Sequence, residues 1–135
     1  MKQVLSDNQS FQISIDHERQ RIYITLSGAW EVNEIGQHYL RALNNACTLL
    51  LPGFSCLADF TKLRANGLEK NRMVHLRALD LLRHAGLVHS AEIMPIDSEA
   101  DHQLTQIARL AGVPLNLFGD VETGELFLDN QHSMA

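Results

Sequence analysis

Between Phe11 and Leu26 the apolar positions fall on alternate residues: Phe11, Ile13 and Ile15, then Ile22, Ile24 and Leu26. A period of two puts each set on one face of a strand, and the polar "DHERQR" between them predicts a hairpin connection. The period then lengthens. From Asn33 onward Ile35, Tyr39, Leu43, Ala46 and Leu50 recur three or four apart, joined by Leu40 and Cys47, which predicts an amphipathic helix ending at Pro52-Gly53. "FSCLADF" is an apolar run suited to a central strand. Beyond it Val74, Ala78, Leu81, Leu82 and Ala85 form a second helical stripe, closed by Gly86. "SAEIMPI" predicts a fourth strand. Ser98, with Asp101 three residues on, resembles a capping box ahead of a third stripe, Ala100, Leu104, Ile107, Ala108 and Ala111, which stops at Gly112. "PLNLF" predicts a short fifth strand, and Val121 to Leu128 a last helical turn or two.

The resulting order is β-β-α-β-α-β-α-β-α. It predicts a single-domain α/β sandwich over residues 11–130, with residues 1–10 and 131–135 as tails. The sheet is mixed, an N-terminal hairpin followed by parallel strands with right-handed crossovers, and about four helices cover it. A hairpin at a sheet edge offers unpaired backbone groups to a second copy, and twofold pairing is the commonest assembly, so a homodimer is expected.

Composition narrows the setting. A chain of 135 residues buries roughly 68% of its unfolded surface, enough to hold together without a disulfide or metal. Its two cysteines, Cys47 in a helix stripe and Cys56 in a buried strand, read as reduced core thiols. "MKQVLSDNQS" lacks the apolar segment of a signal peptide and no run is long enough for a membrane span, so a cytoplasmic protein is expected. The net charge of -5 is unevenly spread. Ser90 to Ala135 carries eight acidic residues against one basic, whereas Phe60 to Arg72 carries four basic against one acidic. The acidic majority argues against nucleic acid as a partner and leaves room for one local anion site.

The element order, with "ITLSGAWEV" entering the first helix and "CLADFTKL" as central strand, resembles the STAS domain. That family comprises bacterial anti-sigma-factor antagonists and cytoplasmic domains of anion transporters. The resemblance covers about Phe11 to Leu128. "LSG" at Leu26 to Gly28 is similar to the family's strand-ending motif, "ADFTKL" aligns Asp59 and Leu63 with its central-strand motif, and "IARLAGV" at Ile107 to Val113 is similar to its closing helices. Typical antagonists carry a phosphorylated serine in "D-S-[ST]-G" after the central strand. The corresponding tetrapeptide here is "RANG", Arg64 to Gly67, which keeps the glycine and has no hydroxyl. A phosphoserine switch is therefore not expected, and the chain is closer to the divergent STAS-like branch that also resembles lipid-binding CRAL-TRIO domains. The resemblance implies a non-enzymatic regulatory or interaction module.

In "ADFTKLRANGLEKN" the candidate ligand-binding residues are Asp59, Thr61, Lys62, Arg64, Asn66, Gly67 and Asn71. Gly67 permits a left-handed turn that exposes backbone N–H groups at a helix start, and the basic residues around it favour an anion. A solvated turn is the alternative. Trp30 and Tyr39 are candidate interface residues, Trp30 either covering the core or projecting as a binding surface. The seven histidines show no metal-ligand spacing, neither cysteine has an evident base, and no nucleophile motif occurs, so neither a metal, a cofactor nor catalysis is expected. A receiver domain, which Asp59 also resembles, lacks its acidic pair and its lysine here. The function expected is docking of a protein partner, or binding of a small anionic or amphipathic ligand, near the loop after the central strand. The alternative is a lipid or hydrophobic-ligand carrier in which the second and third helices part from the sheet.

Overall fold

A computed structural model describes residues 2–30, 33–68 and 70–133. The elements are β1 (Lys2–Asp7), β2 (Phe11–Asp16), β3 (Arg21–Gly28), α1 (Asn33–Thr48), β4 (Ser55–Leu63), α2 (Arg72–Ala85), β5 (His89–Ile93), α3 (Ser98–Ala111) and α4 (Val121–Ser133). One sheet carries the strands in the order β1-β2-β3-β4-β5. The first three run antiparallel and β3, β4 and β5 run parallel. The fold is the mixed α/β sandwich that the patterning predicts.

Alternation along the strands separates two layers. Ile13, Ile15, Ile22, Ile24, Cys56 and Ala58 join Tyr39, Leu43, Ala78, Leu82, Leu104 and Ile107 in the main core, so α1, α2 and α3 cover one face. Tyr23, Leu57, Ala91 and Ile93 point the other way and pack with Leu128, Phe118 and Phe127, so α4 covers the other. Both α2 and α3 end in left-handed glycines, Gly86 and Gly112, as the breaks in the stripes predict.

Five expectations require correction. The first ten residues are not simply a tail: Lys2–Asp7 pairs with β2, with a register shift between Val4 and Ser6. The hairpin of β2 and β3 therefore lies inside the sheet, and the N-terminal edge is β1. "PLNLF" contributes one bridge, Leu117 to Glu92, and no full strand. The last helix continues to Ser133, through the start of the expected C-terminal tail, whose residues 134 and 135 lie outside the described residues. Finally, the N-cap of α3 is Asp97 and not Ser98, because the Asp97 carboxylate accepts from the N–H groups of Glu99 and Ala100.

Candidate functional site

The loop after β4 is closely tied to its own protein. Asp59 Oδ1 accepts from the Thr61 N–H at 3.0 Å and from the Thr61 hydroxyl at 2.8 Å, so the nearest hydroxyl to "RANG" is already engaged. β4 runs on to Leu63, and the Arg64 N–H donates to Gly28 O at 3.0 Å. The next N–H, of Ala65, donates to Asp97 Oδ2 at 3.2 Å. The Ala65 N–H, with the N–H groups of Ala100 and Glu99 and the Arg64 charge, holds the Asp97 carboxyl below its usual range. An internal carboxylate thus occupies part of the position expected for an external anion. Gly67 is left-handed at φ 81, but α2 begins only at Arg72, after a turn in which the Asn71 N–H donates to Gly67 O. Lys62, Arg64 and Asn66 are exposed.

Asn71 is buried, and its Nδ2 donates to Gly67 O at 2.9 Å and to Trp30 O. It ties the turn to the end of β3 and is inaccessible to a ligand at the rim. Trp30 is 0% exposed and Tyr39 is buried too, so neither forms the interface considered from sequence. Large rings following a strand end and on an inward helix face gain more from burial here than from exposure. Trp30 meets Tyr39 edge-on at 5.1 Å and His75 at 5.1 Å, with Phe11 5.5 Å from Tyr39.

Beside this aromatic cluster, between β3, β4 and β5 on one side and α2 and α3 on the other, lies a cavity of about 60 Å³. Its walls are mainly aliphatic. Five polar-capable residues reach it: Tyr39, Cys56, His75, Ser90 and Glu92. His75 and Glu92 are each 4% exposed, and His75 Nε2 and Glu92 Oε2 have no hydrogen-bond partner within the protein. Glu92 Oε1 accepts from the Ser90 hydroxyl at 2.7 Å. Burial pushes the Glu92 carboxyl up to about 7, against the opposing pull of Ser90 and the Asn116 backbone. Burial also pushes His75 down to about 4, so its imidazole is neutral at physiological pH. It raises the Cys56 thiol and the Tyr39 hydroxyl as well, which makes Cys56 a poor nucleophile. Among the described residues no group of three His, Cys, Asp or Glu side chains could hold a metal ion. The chemistry on offer is hydrogen bonding within a mainly apolar, partly open cavity.

Neither His75 nor Glu92 stood out in the sequence. The signals were weak: His75 lies three and seven residues before Ala78 and Leu82 on the buried stripe, and Glu92 interrupts the apolar run of β5.

On the opposite face Arg21, buried at the start of β3, joins α4 to the sheet. Its Nη1 donates to Glu125 Oε2 at 2.6 Å and Asp129 Oδ1 at 2.9 Å, and its Nε donates to Ser55 Oγ at 2.8 Å. The Tyr23 hydroxyl donates to Glu125 Oε1 at 2.6 Å. This cluster is fully committed to holding α4.

No family model, curated protein or solved structure matches the chain. No helix among the described residues is long and apolar enough to cross a membrane.

Proposed function

We propose that the protein is a non-enzymatic binding module of STAS-like build that takes a small amphipathic ligand between its sheet and α2 and α3. The observation that carries this reading is the mainly apolar cavity, lined in part by His75 and Glu92, whose buried Nε2 and Oε2 atoms are unsatisfied by the protein. A buried group left without a partner costs roughly 1–3 kcal/mol, which a ligand supplying the hydrogen bond recovers. The opposite shifts that burial gives His75 and Glu92, both lining one cavity, fit a binding site.

Size favours this reading over a lipid carrier. The cavity of about 60 Å³ is far below the roughly 300–1,000 Å³ of pockets for larger ligands. A long acyl chain requires α2 and α3 to part from the sheet, whereas a short ligand does not. Nitrogen-15 NMR with a panel of small amphipathic fragments tests the reading. Shifts centred on the cavity-lining residues are expected, and shifts confined to residues 62–70 would overturn it.

The exposed Lys62, Arg64 and Lys70 around Gly67 favour a second reading, an anionic partner docking on the rim. It uses a different surface and is separable by substitution.

A further inference from the structure

We propose that the ligand of this cavity is a short primary amine, held as its ammonium ion on the Glu92 carboxylate with its alkyl end against the apolar wall formed by α2 and α3. The inference rests on the ligand-binding reading above and names the ligand class.

Glu92 leaves β5 on the face covered by α1, α2 and α3, since its neighbours Ala91 and Ile93 pack in the α4 layer. One carboxylate oxygen is engaged by Ser90 and the other has no partner. The remaining titratable groups at the cavity are Tyr39 from α1, Cys56 from β4 and His75 from α2, while α3 contributes Leu104, Ile107 and Ala108. No lysine or arginine lines it. A carboxylate buried without a cation is strongly disfavoured, and the usual remedies are a proton or a paired positive charge. An ammonium ion brings that charge, donates to Oε2 and leaves its alkyl group to the aliphatic wall. An anion is repelled by Glu92. An alcohol satisfies the oxygen but leaves the charge unpaired.

Three probes matched in size, ethylammonium chloride, ethanol and sodium acetate, are titrated into the 135-residue protein at pH 6 and pH 8 at fixed ionic strength, with nitrogen-15 NMR as readout. Ethylammonium is expected to move the amides around Ser90 and Glu92. It should bind about tenfold more tightly at pH 8 than at pH 6, because Glu92, pushed up to about 7, loses its proton in that interval while the amine stays charged. Glu92→Gln, equal in shape, should abolish the gain. If that variant fails to fold, the wild-type pH comparison still decides. Ethanol or acetate binding more tightly than ethylammonium at pH 8 would overturn the amine and leave a ligand-binding cavity standing. Absence of any shift at the cavity with all three probes overturns both.

Discussion

Arg21 Nη1 lies 2.6 Å from Glu125 Oε2, a contact between residues 104 apart in the chain that joins the start of β3 to α4. The arginine is buried and the acidic partners are only partly so, so the pair is asymmetric. Removing either acid leaves a buried cation with one remaining carboxylate, whereas removing Arg21 lets Glu125 and Asp129 turn to water. Breaking a buried pair from one side costs about 3–5 kcal/mol. Arg21→Met should lie at the low end, about 3 kcal/mol, measured by urea denaturation with an unchanged slope. A loss below about 1 kcal/mol would show that the cluster adds little.

The same cluster sets the dynamics of α4. Its apolar hold is smaller than that of α3, which buries Ala100, Leu104, Ile107 and Ala108: in α4 Leu128 is buried and Phe127 partly so, but Leu126 is 63% exposed. Hydrogen exchange in α4 should therefore be faster than in α3, and Glu125→Gln should accelerate it further without changing exchange in α2. Equal protection of α3 and α4 would contradict this.

Stability against pH should show two opposed contributions from the cavity. Glu92 is raised from 4.5 to about 7, so the folded state binds the extra proton and stability falls as pH rises through that window. His75 is lowered from 6.5 to about 4, so the unfolded state binds the extra proton and stability rises between those values. Each shift corresponds to about 3 kcal/mol, and over pH 4.5–6.5 the two largely cancel. Glu92→Gln should expose the rise and His75→Phe the fall. Parallel pH profiles for wild type and both variants, from denaturant melts, would refute the assignment.

The rim reading makes its own prediction. Lys62→Ala with Arg64→Ala removes two exposed positive charges and should weaken inorganic phosphate binding in a salt-sensitive way, while fragment shifts at the cavity stay as in wild type. Asp97→Ala frees the Ala65 N–H and should strengthen phosphate binding at that end. If phosphate binding is unaltered in all of these variants, the rim is only a solvated turn.

Legibility followed burial. β2 and β3 were readable because Ile13, Ile15, Ile22 and Ile24 alternate against one core, and α3 because its stripe matches its buried face. β1 carries no such pattern: Val4 is 56% exposed, Leu5 alone of its apolar residues packs against the core, and the strand's pairing with β2 runs through its backbone, which composition does not reveal. The chemistry was harder to read for the converse reason. A histidine in a stripe and a glutamate in an apolar strand look like interruptions in the sequence, and only the fold brings both to one cavity; in the basic loop, Asp97 from 32 residues away takes up the Ala65 N–H.

Asn71 offers the sharpest local test of how that loop is held. Its amide donates from one nitrogen to the carbonyls of Gly67 and Trp30, joining the turn to the strand end beneath the aromatic cluster. Asn71→Ala removes the donor to the buried Trp30 carbonyl, while Gly67 O keeps the backbone N–H of residue 71, and should cost about 1–3 kcal/mol. Asn71→Asp keeps the shape but replaces the donor with a carboxylate oxygen facing two carbonyl oxygens. At pH 7 it should therefore be less stable than the alanine variant. Acid should narrow the difference, because the introduced carboxyl regains a donor once it is protonated. Thermal melts of the three proteins at pH 7 and pH 4 read this directly. An aspartate variant as stable as wild type at pH 7 would mean that the two carbonyls do not depend on the Asn71 amide.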